Sequence, residues 1–149
     1  MVNGLLTDCP GLIHGKTGIA VFFFHYYRYT ENKLFEEYAF ELLCEIQKQL
    51  HCNSSVDYRT GIAGIGVGID YLLKNRFLVS DNDVFEDIDK RMYNAVMYDF
   101  QPDFSLYDGI TGYGRYWLSR LNQESSSGRA KECILRIINY IGEKKNGNE

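Results

Sequence analysis

The amino-acid sequence predicts an all-α protein of three helical hairpins, stacked either as an open solenoid or as an arc of a closed α/α toroid. Three observations point there. A glycine motif, Gly11-Leu-Ile-His14-Gly15-Lys-Thr-Gly18, returns as Asp57-Tyr-Arg-Thr-Gly61-Ile-Ala-Gly64-Ile-Gly66 and again as Ser105-Leu-Tyr-Asp108-Gly109-Ile-Thr-Gly112-Tyr-Gly114. Aligned on Gly15, Gly61 and Gly109, the copies stand 46 and 48 residues apart, a step that marks one supersecondary unit used three times. Each copy leads into an apolar stretch of helical period and then a second, amphipathic one, and no segment keeps up the strict alternation of a strand.

In the first unit, Ile19 to Tyr27 is apolar almost all round, which predicts a helix buried on every side, with His25, Tyr26, Tyr27 and Tyr29 as core and interhelical contacts. Thr30-Glu-Asn-Lys breaks it. Leu34 to Leu50 then sets Phe35, Tyr38, Leu42, Leu43, Ile46 and Leu50 at three- and four-residue steps, a helix with one wet face. In the second unit, Ile62, Ile65, Ile69, Leu72 and Leu73 line a slim, glycine-rich helix ending near Asn75. Ser80-Asp-Asn-Asp83 with Glu86 resembles a capping box for the next helix, whose stripe is Phe85, Ile88, Met92 and Val96. Pro102 closes that unit, since proline cannot continue a helix interior. In the third unit the stripes are Ile110, Tyr113, Trp117 and Leu121, then Ala130, Ile134, Ile137, Ile138 and Ile141. One helical-repeat domain over residues 1–142 is expected, with repeats at about 11–57, 58–104 and 105–142 and a fraying tail at 143–149.

The 149 residues suffice for one domain with a real core. Lys and Arg number 16 against 20 Asp and Glu, a net charge of −4 that speaks against nucleic acid or an anionic membrane as main partner. The longest apolar run, Ile19 to Phe24, is too short to cross a bilayer. Cys9, Cys44, Cys52 and Cys133 form no tight framework and no signal peptide opens the chain, so free thiols in a cytoplasmic protein are expected. Cys44 and Cys133 fall in apolar stripes and read as core.

Three sets of glycines at helix starts need a physical cause, because a glycine inside a helix costs about 1 kcal/mol against alanine. Close packing of the inner helices is one, and a positive φ another. A third is that Gly15, Gly18, Gly61, Gly64, Gly109 and Gly112 turn free N–H groups and positive helix ends toward a shared cavity, where they bind an anion or a carbonyl. His14 is placed either to transfer protons in that cavity or to stabilise its turn by a hydrogen bond. Asp57 precedes Gly61 by four residues. Asp108 either faces the cavity or caps the third inner helix. Cys9, His14, His51 and Cys52 are ligand types suited to zinc, but helix packing would have to gather them from two segments, so no metal site is assigned.

The three motifs in this order, from about Gly11 to Leu121, resemble the lanthionine synthetase C-like family of peptide cyclases. The resemblance implies a toroid around a central cavity and zinc-dependent addition of peptide cysteine thiols to dehydrated Ser or Thr, giving thioether rings. Zinc would lower the thiol pKa, while a His and an Asp handle protons, and Asp57 is the acid–base candidate that the family's aspartate ahead of a glycine turn implies, beside His14. The sequence departs from the family in being far shorter and in lacking the Cys and the later Cys-His pair that hold zinc. His51-Cys52 reverses the order and lies elsewhere. The expectation is therefore a truncated relative without a cofactor of its own, inactive alone or completed by a partner carrying the zinc half. Its company would be a peptide substrate, a complementary second half or another copy of itself. The alternative is a helical-repeat module that binds a peptide or protein without catalysis. A remoter one is glycan processing through Asp57 and Asp108.

Overall fold

The computed structural model describes residues 7–50, 55–80, 84–100 and 102–147, and every regular element among them is a helix. These are α1 (Lys16–Thr30), α2 (Lys33–Leu50), α3 (Ile62–Lys74), α4 (Glu86–Met97), α5 (Ile110–Arg120) and α6 (Ser127–Asn146). Consecutive helices pair as α1/α2, α3/α4 and α5/α6, α3 lies between α1 and α5, and α4 also packs on α6. The chain is thus three hairpins in a row, with the glycine-led helix of each against the next.

The pairing is antiparallel within a hairpin and parallel between inner helices. Lys16, at the start of α1, bonds Glu45 near the end of α2 at 2.6 Å, while Phe24 meets Phe40 edge to face. Glu31 makes the reversal by adopting left-handed backbone (φ 57°) and donating its N–H to Tyr27 O, and Asn32 Oδ1 accepts the Leu34 N–H. Between inner helices, Thr17 of α1 lies against Gly68 of α3, His25 Nε2 meets Tyr71 Oη at 2.8 Å and Arg28 donates to Asn75 O. Along the other side of α3, Gly66 faces the Tyr116 ring of α5 and Lys74 donates to Ser119 O. All three inner helices therefore start at one end of the molecule.

One large core, centred on Ile62, Met92, Ile110, Tyr113, Tyr116 and Trp117, fills the space between α3, α4, α5 and α6. A smaller cluster around Phe24, Ala39 and Leu72 joins α1, α2 and α3. Inside the larger core, Asp89 of α4 accepts the Tyr116 hydroxyl and pairs with Arg120 through Nε at 3.2 Å and Nη2 at 3.3 Å. The Arg120 guanidinium also stacks on Phe85 at 3.8 Å. A charge pair this deep is tolerated because both carboxylate oxygens and the Nε and Nη2 of Arg120 are hydrogen-bonded. Burial, then the Asp89 charge, raises the Tyr116 hydroxyl pKa far above its ordinary value.

Five expectations are corrected. The first inner helix is not buried all round: Phe22, Tyr26 and Tyr29 are exposed, because among the described residues the helices that pack closely on α1 are α2 and α3. Cys44 is exposed on the wet side of α2, whereas Cys133 is in the core, where burial pushes its thiol up to about 12. Ile138 and Ile141 of α6 are likewise exposed, on the side of the helix away from the residues that meet α4. Phe85 rather than Asp83 holds the position before α4, with no side-chain cap; Asp81, Asn82 and Asp83 lie outside the described residues. The last helix also runs past Glu143 to Asn146, and Lys144 and Lys145 in its final turn suit the negative end of the helix dipole.

Candidate functional site

The three glycine loops lie side by side at the common start of the inner helices, joined by backbone hydrogen bonds. Ile13 N–H donates to Arg59 O at 3.0 Å, and the N–H groups of Tyr58 and Arg59 both donate to Tyr107 O at 2.9 and 3.1 Å. Each loop then repeats one internal pattern. The first helical N–H reaches back seven residues to a loop carbonyl, Lys16 to Cys9, Ile62 to Ser55 and Ile110 to Asp103, each at 2.8 Å. Thr17 Oγ1 and Thr111 Oγ1 bond Pro10 O and Phe104 O in equivalent places.

This pattern explains the glycines. A Cβ on Gly61 would overlap Ser55 O and one on Gly64 would overlap Tyr58 O, and Gly15, Gly18, Gly109 and Gly112 meet their own loop carbonyls in the same way. The capping glycines Gly15, Gly61 and Gly109 are extended, and no described glycine has positive φ, so the cause is close approach of the loop to the first turn. Crowding comes first from each helix's own loop here, with the neighbouring loop adding Tyr58 Cβ at Gly112 and Leu12 Cβ at Gly64, while side chains of neighbouring inner helices crowd Gly66 and Gly68. The first N–H of each inner helix is accordingly already donated to that loop.

The side chains the motifs single out are distributed over this loop face. His14 is exposed with left-handed backbone (φ 61°), and its ring makes no hydrogen bond among the described residues. It does not stabilise its turn by a side-chain bond. A non-glycine residue held in that region is strained, and such strain collects at functional positions. Asp57 is half-buried and organises the second loop: its carboxylate accepts from Thr60 N at 2.6 Å, Gly61 N at 3.2 Å, Thr60 Oγ1 and Ser55 Oγ. Burial acts to raise its pKa, but the bonds from Ser55, Thr60 and Gly61 together outweigh it and hold the carboxyl below its usual value. Asp108 does not cap α5, whose first N–H belongs to Asp103 O; its carboxylate pairs with Arg59, linking the second loop to the third.

Arg59 and Tyr107 went unnoticed as site residues. Arg59 is the one cation inside the second motif, and its guanidinium lies 5.6 Å from the Tyr107 ring centre while bonding Asp108. What the face offers is a surface with a free imidazole, an ionised carboxylate, an ion pair and an aromatic ring. A glycoside-cleaving acid needs a carboxyl kept protonated, the opposite of what surrounds Asp57.

Among the described residues no three His, Cys, Asp or Glu side chains come together as a metal site. Cys9 precedes α1, Cys44 faces solvent on α2 and Cys133 is enclosed in α6, while His51 and Cys52 lie outside the described residues. The described donors do not fit a zinc ion. No described helix is long and apolar enough to cross a membrane.

Tandem hairpins with loop-locked glycine helices place the chain in the all-α class. A family model, lanthionine synthetase C-like protein, matches residues 8–145, and the chain belongs to that family. Its relation is to lanthionine synthetase-type cyclases. No curated protein and no solved structure gives a match.

Proposed function

We propose that this protein is a peptide-handling relative of the thioether-forming cyclases that receives peptide on its loop face and closes no ring by itself. The observation that carries the reading is the stitched loop face. Three glycine loops present His14, Asp57, Arg59, Tyr107 and Asp108 at one end, while the described residues assemble no zinc set. Ring closure then depends on hairpins that bring the ligands, in the same polypeptide or another. His14, free and exposed, is the group for proton transfer; Asp57, ionised and locked to its loop, positions the second turn.

The test is a peptide with one dehydroalanine and one cysteine, followed by thiol alkylation and mass spectrometry. With zinc chloride and this chain alone, the cysteine remains alkylable; with a family polypeptide that carries the Cys and Cys-His ligands, it becomes protected. Ring closure by the chain alone overturns the need for the zinc half. Fluorescence anisotropy of the same peptide reads binding, and indifference to His14→Ala and Arg59→Ala would remove the loop face from the reading. A second reading, a binding module without catalysis, is favoured by the exposed aromatic flank of α1.

A further inference from the structure

The two ends of the hairpin row carry complementary leftovers of one packing rule. Counting from the capping glycine, the fifth residue of an inner helix is Ala20 in α1, Gly66 in α3 and Gly114 in α5; the seventh is Phe22, Gly68 and Tyr116. At the α3/α5 joint the seventh-position ring, Tyr116, lies over the fifth-position glycine, Gly66, where any Cβ would run into it. Gly114 is the same position one hairpin on. Among the described residues, only the Ile137 side chain, at 3.8 Å, comes within 4 Å of a Cβ built there. Leu118, one turn along, is 56% exposed.

At the opposite end, α1 presents the aromatic that this joint calls for. Phe22 is 59% exposed, stacks on Tyr26 with ring centres 5.8 Å apart, and shares its flank with Tyr29 at 86%. Phe22 and Tyr29 correspond to Gly68 and Asn75 of α3, the residues through which α3 meets α1. The small site without a ring is on α5, and the ring without a small site is on α1.

We propose that a second copy of this chain docks head to tail, laying Phe22 over Gly114 as Tyr116 lies over Gly66, with Tyr26 and Tyr29 against Leu118 and the exposed Ile138 and Ile141 of α6. The contact continues the inner-helix row across the boundary between copies. It is heterologous, joining two different flanks. It does not rest on the thioether reading.

Heterologous pairing has a signature in sedimentation velocity over a concentration series. Phe22→Glu places a charge in the aromatic flank, and Gly114→Lys fills the small site. Both side chains extend into solvent in the single chain, and circular dichroism confirms folding. Wild type is expected to associate as concentration rises, and each variant alone at least about tenfold more weakly, the change that loss of one buried ring supports. An equimolar mixture of the two variants regains a dimer, because Phe22, intact in the Gly114→Lys chain, still meets Gly114, intact in the Phe22→Glu chain. A wild type that stays monomeric throughout, association untouched by either variant, loss with only one of them, or a mixture that stays monomeric each overturns the proposal.

Discussion

Asp57 is the residue on which most loop bonds converge, and its replacement has a readable pH signature. Asp57→Ala leaves the N–H groups of Thr60 and Gly61 without their acceptor and should lower stability by about 1–2 kcal/mol in urea melts, the range for loss of a capping acid. The folded carboxyl holds its proton less readily than the unfolded one. Its contribution is therefore complete above the unfolded pKa of about 4 and drains away as pH falls through the lower folded value. The wild-type advantage over Asp57→Ala should shrink below about pH 4; an advantage constant from pH 7 to pH 2 would contradict this assignment. The cysteines give a second test at this scale. Iodoacetamide at pH 8 with peptide mapping should label Cys44 within minutes and reach Cys133 only after denaturation, since Cys133 is enclosed and its thiolate is suppressed.

At the scale of the helix, glycines of equal appearance in the sequence have opposite value. Gly64→Ala drives a Cβ into Tyr58 O and against Leu12 Cβ, and because backbone cannot yield, a loss of at least about 2 kcal/mol is expected. Gly142→Ala in α6 meets nothing within 4 Å and should gain roughly 0.5–1 kcal/mol by helix propensity alone. Chemical denaturation of the two variants would show shifts of opposite sign. The same distinction governs what was legible beforehand. The stripes of α4 and α5 were plain in the sequence because Ile88, Met92 and Val96, or Ile110, Tyr113 and Trp117, recur at helical period. The exposure of Phe22, Cys44 and Ile138 was not, because period shows that a face is apolar and not whether a neighbour covers it.

Across the whole molecule, the outer helix α4 is tied to the inner helix α5 by the enclosed Asp89, Arg120 and Tyr116. Asp89→Ala strands the Arg120 charge in the core, and a loss of about 3–5 kcal/mol is expected, while Asp108→Ala, at an ion pair whose two side chains are both exposed, should cost under about 1 kcal/mol. Equal losses in a thermal or urea melt would mean that the core pair is not the tie described. Association through Phe22 and Gly114, and ring closure only with added zinc-bearing hairpins, are the outcomes that concern the molecule as a unit.

The sequence by itself determined the helical class, the threefold use of one hairpin and the family, because these depend on local period and on motifs that recur at a near-constant step. It also marked His14, Asp57 and Asp108 by their place beside the motif glycines. Only the tertiary structure decided that the glycines serve loop-to-helix contact rather than positive φ. It likewise assigned Asp108 to Arg59 instead of a helix cap and left Phe22 exposed on the flank of α1. These facts depend on which segments meet, and residues 46 to 49 apart in the chain are brought together by stacking of hairpins, which local pattern does not encode.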